Sequence, residues 1–196
     1  MNTPEARLNW FYQGVPRDEH DWDLATAPTL YRTPAEKDML AIAGKSGRVY
    51  VIDRATQALA FNTPATTVAH DEEPLDQTWK LVYPSLQGGT LFNGTASHPG
   101  TGALYVGMSA HCTYYTKNAE IPPHGGAGVK DFSRQPQGWI TAIDGETGEV
   151  LWKYNIPHVK RLPSRSRRSP PATWIRRSVF GIVIVISPCR SGGRGR

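Results

Sequence analysis

Three observations predict an all-β fold for this chain. Short runs of β-branched and aromatic residues recur between turn signals, as in Arg48-Val49-Tyr50-Val51-Ile52-Asp53 and Trp139-Ile140-Thr141-Ala142-Ile143-Asp144. Such residues fit a pleated, half-buried surface. Sixteen prolines and 19 glycines among 196 residues supply frequent turns, and no amphipathic run is long enough to predict a helix.

The most legible element is a hairpin over 138–153. Trp139 to Asp144 forms the outgoing strand, and Asp144 opens a short loop in which Gly148 can adopt positive φ. Glu149 to Trp152 returns, with Val150 and Trp152 on one face and Glu149 and Leu151 on the other. The same frame recurs over Arg48–Phe61, where Asp53 matches Asp144, Thr56 matches Thr147 and Phe61 stands in the place of Trp152. A clipped third copy is expected at Glu5–Trp10, which aligns with Thr147 to Trp152. The terminal aromatics at 10, 61 and 152 lie 51 and 91 residues apart. Repeats with long, unequal insertions predict blade-like units that pack on one another.

Taken in order, Leu8-Asn9-Trp10-Phe11-Tyr12-Gln13 reads as the end of a strand. Asp18, His20, Asp21 and Asp23 then cluster in a polar loop around Trp22. That composition could ligate a metal, but the loop lacks the glycine of a calcium-binding hand, so carboxylates accepting backbone N–H bonds are the expected role. Asp38 to Gly44 is a strand, and Lys45-Ser46-Gly47 turns it into the next, Arg48–Asp53. A lysine at such a turn can point out of the sheet, and from its position alone it reads as a solvated surface cation. Pro64 to Asp76 reads as an exposed connection and Trp79 to Tyr83 as a strand. The glycine-rich stretch Pro84–Ala96 follows no phosphate-binding spacing, so its glycines are expected to let backbone approach something closely. Ala103 to Met108 is a strand, and 115–137 is a long polar insertion.

Residues 158–196 break this pattern. They hold Lys160 and nine arginines with no Asp or Glu, whereas residues 1–157 carry 12 basic against 17 acidic groups. The formal net charge of +5 therefore comes from one end. This Arg/Ser/Pro-rich tail is expected to be disordered or non-native, and its composition resembles a GC-rich gene translated out of frame. A coding sequence with no blade in either alternative frame past codon 157 would exclude that origin. The apolar run Val179–Ile186 is far shorter than the roughly 20 residues of a membrane span. The start of the chain has no secretory signal pattern, and Cys112 and Cys189 do not make a disulfide framework. Two units are expected: 1–157, a set of blades, and 158–196, the basic tail.

The ordered set of motifs resembles the pyrroloquinoline quinone (PQQ)-dependent, or quinoprotein, alcohol dehydrogenases, which are eight-bladed β-propellers. Trp10-Phe11-Tyr12-Gln13 through His20-Asp21-Trp22-Asp23-Leu24 is similar to the family's W-x-Y-Q…P-H-D-x-x-D-W-D-L run, with Arg17 in place of the histidine usual after Pro16. Gly44 to Arg54 is similar to its K-x-G-x-x-Y-V-L-D-R strand. Gly88-Gly89…Phe92-Asn93-Gly94…Pro99…Thr101-Gly102…Leu104-Tyr105-Val106 is similar to its G-G…W-N-G…P-x-T-G-x-x-Y-V segment. The hairpin at 138–152 resembles its tryptophan-docking repeat. The resemblance covers residues 5–155 and implies a partial β-propeller of about three blades.

It also implies PQQ and Ca²⁺ as cofactors, a primary or secondary alcohol or a sugar as hydride donor, cytochrome c or a membrane quinone as electron acceptor, and a periplasmic location. Two residues are carried over as cofactor contacts: Lys45, matching the Lys or Arg that hydrogen-bonds the quinone oxygens, and Asn93, matching an asparagine beside the cofactor. A fixed cation there stabilises the electron-rich cofactor formed by hydride arrival. The family's catalytic aspartate, metal ligands, stacking tryptophan and vicinal cysteine pair are expected to lie upstream of Met1, so no catalytic residue and no metal ligand is named, and the chain is expected to be an inactive fragment. Two other functions are weighed. A non-catalytic propeller scaffold similar to outer-membrane assembly lipoproteins would lack the 16–24 loop and the long insertions, which favours the dehydrogenase. Nucleic-acid binding would depend on the tail alone, and no nucleic-acid partner is expected.

Overall fold

The computed structural model describes residues 8–118, 127–130, 133–134 and 136–157. The basic tail 158–196, residues 5–7 of the clipped repeat and most of the polar insertion lie outside the described residues. Among the described residues every regular element is a strand. These are β1 (Thr29–Arg32), β2 (Asp38–Ala43), β3 (Arg48–Asp53), β4 (Leu59–Pro64), β5 (Lys80–Val82), β6 (Ala96–Ser97), β7 (Leu104–Ala110), β8 (Thr113–Thr116), β9 (Ala127–Lys130), β10 (Gln137–Ile143) and β11 (Val150–Pro157).

They form two four-stranded antiparallel sheets, ordered β1-β2-β3-β4 and β11-β10-β7-β6, and a three-stranded sheet, β5-β8-β9. The architecture is a partial propeller with unclosed sheets. Each four-stranded sheet has the up-and-down order expected of a blade. Burial alternates along β7, where Leu104, Val106 and Met108 are buried and Tyr105, Gly107 and Ser109 less so. This period-two pattern makes one face of the strand a core face. The core between the two blades joins Met39, Ala41, Val49 and Val51 to Leu104, Val106, Met108 and Ile143, with Phe61 packed against it. A smaller core under the loops gathers Trp22, Leu75, Val82 and Tyr115.

The repeat seen in the sequence is repeated in hydrogen bonds. Asp53 Oδ1 accepts the N–H groups of Ala55 and Thr56 at 2.8 and 3.0 Å, and Asp144 Oδ1 accepts those of Glu146 and Thr147 at 2.8 and 2.9 Å. Gln57 N–H closes on Asp53 O in one turn and Gly148 N–H on Asp144 O in the other. Both closing residues have positive φ, 61° at Gln57 and 81° at Gly148. The glycine is required at 148 for a second reason. A Cβ there would lie 2.6 Å from the ring of Phe61, because Phe61 of the first blade is seated on this turn of the second. Thr63 Oγ1 donates to Gly148 O at 2.7 Å, and the Tyr31 hydroxyl donates to Gly145 O at 2.5 Å. Thr141 Oγ1 donates back to Ala65 O at 2.6 Å. The blades are thus joined by one aromatic seat and a set of hydroxyl-to-carbonyl bonds.

Three expectations are corrected. Leu8–Gln13 is not a strand; the segment lies by the first blade, with the Tyr12 and Tyr50 rings 6.4 Å apart. The connection from Pro64 to Asp76 is not simply exposed, since Ala65, Thr66 and Leu75 are buried, Ala65 by accepting the Thr141 hydroxyl and Leu75 by joining the smaller core. The 115–137 insertion is not wholly polar in role either, because Tyr115 is buried in that same core. Trp152, the counterpart of Phe61, is half exposed and packs its ring 5.9 Å from Tyr105.

Phe61→Ala is expected to destabilise the folded chain by about 3 kcal/mol, and Gly148→Ala by about 1–3 kcal/mol, from lost packing and from strain at positive φ respectively. Urea denaturation of the purified chain measures both, and a shift under 0.5 kcal/mol in either would contradict the seat.

Candidate functional site

The turn between β2 and β3 carries Lys45, and three segments converge on it. Its backbone N–H donates to Asp23 O at 3.1 Å, and its carbonyl accepts the N–H of Gly89 at 2.8 Å. Gly89 O in turn accepts the N–H of Ser109 at 2.7 Å, which connects the turn to the end of β7. A Cβ on Gly88 would fall 2.4 Å from Cβ and 2.5 Å from Cα of Lys45, and one on Gly89 would fall 2.8 Å from Gly47 Cα. The close approach expected of the glycine-rich stretch is therefore an approach to the Lys45 turn itself.

Lys45 does not project into solvent as a surface lysine would. Its side chain is only 8% exposed, with Nζ 2.9 Å from Asp21 Oδ2, 2.8 Å from Asp23 Oδ2 and 2.8 Å from the carbonyl of Asp21. Burial alone would lower the ammonium's pKa, but the hydrogen bonds to Asp23 and Asp21 outweigh it and hold the value above that of an ordinary lysine. Both carboxylates are mostly exposed on their other sides.

The loop that supplies these carboxylates is fixed by Asp18 and by aromatic packing. Asp18 accepts the N–H groups of His20 and Trp22 at 3.0 and 2.6 Å, as expected for carboxylates in an irregular loop. Asp21 sits at φ 62°, a left-handed conformation that aspartate tolerates better than most residues. The His20 ring stacks on Trp22 at 4.3 Å and meets Tyr115 edge-on at 5.0 Å, and Trp22 Nε1 donates to Ser85 O. Trp22 points inward, and its neighbours Asp21 and Asp23 both turn to Lys45. His20 is buried with Nε2 unpartnered, and its pKa is lowered chiefly by burial, against the raising effect of Asp18 and Glu19.

Asn93 lies further along the glycine-rich stretch, half-buried, where its N–H donates to Thr90 Oγ1 and its carbonyl accepts the same hydroxyl. These backbone bonds fix the residue, and both go to Thr90 rather than to Lys45. Arg17 is exposed at φ 54° beside a separate cavity of about 650 Å³ lined by residues that include His20, Arg48, Tyr50 and Asp71. The thiol of Cys112 is buried, and Cys189 lies outside the described residues.

Comparison with known proteins gives relatives for the chain and its fold. The sequence pattern described as PQQ, the glucose/ethanol/alcohol dehydrogenase β-propeller domain, matches residues 2–80. Over that region the chain is similar to the PQQ-type dehydrogenase propeller domain. It is similar to the quinohemoprotein alcohol dehydrogenase ADH-IIG of Pseudomonas putida, 24% identical over 197 residues that span 81% of this chain and 27% of the relative. A second relative, the quinoprotein glucose dehydrogenase of Gluconobacter oxydans, is 32% identical over 82 residues, 40% of this chain and 10% of that protein. Among solved structures, the Pseudomonas putida enzyme superposes with a TM-score of 0.62 at 19% identity, over 75% of this chain and 27% of that one. The enzyme of Comamonas testosteroni gives 0.59 at 15% identity, over 76% and 27%. The chain thus spans about a quarter of the length of the Pseudomonas putida relative it matches.

The depressed pKa of His20 makes stability depend on pH. The folded state keeps the ring neutral while the unfolded chain takes up a proton below about pH 6.5, so stability is lost as pH falls through that value. The urea midpoint of wild type is expected to fall between pH 7.5 and about 5.5 more steeply than that of His20→Phe, which keeps the stack on Trp22. Parallel profiles would contradict a neutral buried His20.

Proposed function

We propose that this chain forms part of the cofactor-binding side of a PQQ-dependent alcohol or sugar dehydrogenase acting in the periplasm, with Lys45 as the cation that faces the quinone. The observation that carries this reading is the construction around Lys45. Two separate segments, the 18–23 loop and the Gly88-Gly89 stretch, are shaped to it by an ion-pair set and by a contact that admits no Cβ. A surface lysine requires neither.

PQQ, when bound, would accept hydride from the alcohol or sugar and pass electrons on, to cytochrome c or a membrane quinone. The residues present fit the cationic side of such a site. Lys45 supplies positive charge at a fixed position, and its elevated pKa keeps it charged throughout the physiological range. Asn93 is a second candidate contact, held by its bonds to Thr90. Among the described residues no group of three or more His, Cys, Asp or Glu side chains suited to Ca²⁺ occurs. The scaffold alternative is less well supported, because a scaffold gives no reason to bury a lysine against two carboxylates.

The purified chain is expected to bind PQQ, with affinity about tenfold lower in Lys45→Met, read by quenching of tryptophan fluorescence. It is expected to oxidise no alcohol with PQQ, Ca²⁺ and an artificial acceptor. Equal binding by wild type and Lys45→Met would refute the role of Lys45.

A further inference from the structure

A lysine keeps its proton most easily where a carboxylate meets it. Among the lysines whose side chains are described, Lys37 pairs with Glu146, Lys45 with Asp21 and Asp23, Lys80 with Asp76 and Lys117 with Glu19. Lys153 departs from this pattern. It stands on β11 opposite Thr141, at the seam between the two blades, and no charged neighbour acts on it among the described residues.

A backbone carbonyl and an aromatic ring surround it instead. Nζ donates to the carbonyl of Thr66 at 3.2 Å and lies 5.5 Å from the centre of the Trp139 ring. Thr66 is buried, and its hydroxyl donates to Ser109 O at 3.0 Å, so this carbonyl is a fixed part of the junction. The carbonyl before it, on Ala65, is already taken by Thr141. Trp139 Nε1 is buried with no acceptor at all. A carboxylate in this corner would have claimed that N–H, so the orphan donor marks the corner as short of acceptors.

A ring at this distance attracts a cation only modestly. Burial against these walls lowers the pKa of Lys153 below that of an ordinary lysine, the opposite direction from Lys45. The residue nevertheless remains accessible to solvent. An amine that is partly desolvated, unpaired with any carboxylate and still reachable has the properties of a nucleophilic lysine.

We propose that Lys153 is a carbonyl-addition site, whose amine forms an imine with small aliphatic aldehydes. The neutral Nζ gives its lone pair to the carbonyl carbon, the carbonyl π pair moves to oxygen, and a proton passes from nitrogen to that oxygen, giving a carbinolamine. Loss of water then leaves a C=N bond. One amine and one aldehyde become one imine and one water, with no oxidant or reductant consumed. The Trp139 face gives the aliphatic chain an apolar surface to lie on. Oxidation of a primary alcohol, as proposed above, would release aldehydes of this class. The addition itself needs only the amine and stands apart from the reading of Lys45.

Reductive labelling of the purified 196-residue chain with butanal and sodium cyanoborohydride tests this. The reagent delivers hydride to the imine and fixes it as a secondary amine, which peptide mass spectrometry locates. At about pH 7.5, Lys153 is expected to be labelled at least about fivefold faster than Lys37 and Lys80, because more of it is neutral there. In denaturing urea the gap is expected to vanish. Labelling of Lys153 no faster than Lys37 and Lys80 in the folded chain, or a gap that persists in urea, would overturn the site. A pH series of trace acetylation with acetic anhydride reads the amine directly. Its midpoint for Lys153 is expected to lie below that for Lys37, and a midpoint at or above it would overturn the neutral amine on which the addition depends. Neither measurement contains PQQ, so their failure would leave the titration of Lys45→Met as an independent test of the cofactor reading.

Discussion

The seating of Phe61 on the Asp144–Glu149 turn is the contact on which the rest of the structure depends. A four-stranded antiparallel sheet has two faces and two edges, and alone it buries too little apolar surface to hold together. Joining two of them requires a point of registry. The turn provides it: Asp144 draws in the N–H groups of Glu146 and Thr147, Gly148 closes the loop at positive φ, and the flat patch left by the missing Cβ receives the Phe61 ring. Tyr31 and Thr63 then bond to the carbonyls of the same turn. With that end fixed, Leu104, Val106, Met108 and Ile143 meet the buried side chains of β2 and β3.

The packing around Lys45 follows from this registry. Lys45 lies on the β2–β3 turn, and the stretch that packs on it must come from the long connection between blades. Gly89 bridges the Lys45 turn and Ser109 on β7, so the relative placement of the two blades decides whether the glycines can lie against the lysine at all. The ion-pair set adds a second constraint from the N-terminal side, through a loop held by Asp18 and the His20–Trp22 stack. An ammonium buried with its charge intact needs such partners, because desolvation without them would drive it neutral.

The fold was largely legible in the sequence because turn chemistry is local. Asp, Thr and Gly at fixed offsets specify a hairpin loop wherever they occur, and the two copies gave the repeat directly. The strands β2, β3, β5, β7 and β10 were likewise marked by β-branched and aromatic runs between glycines and prolines. What escaped were features set by distant partners. Tyr115 and Leu75 read as members of polar or aperiodic stretches, and their burial comes from meeting Trp22 and Val82, far away in sequence. Leu8–Gln13 has strand-like composition, yet it makes no ladder and lies by the first blade near Tyr50. Around Lys45, composition marks Asp21 and Asp23 only as loop carboxylates, and their ion pairs with the lysine come from distant packing. A signal was present: Asp21 and Asp23 flank Trp22, so burying the tryptophan in an extended loop turns both carboxylates the same way.

The most direct test of the account is the magnetic environment of Gly148 in the intact chain. Isotope-edited NMR is expected to show nuclear Overhauser contacts between the Phe61 ring protons and the Gly148 Hα pair, with those α protons shifted by the ring current and restored in Phe61→Leu. A Gly148 with unshifted α protons and no contact to Phe61 would mean that the blades do not dock through this turn, and the placement of the glycine-rich stretch against Lys45 would lose its basis.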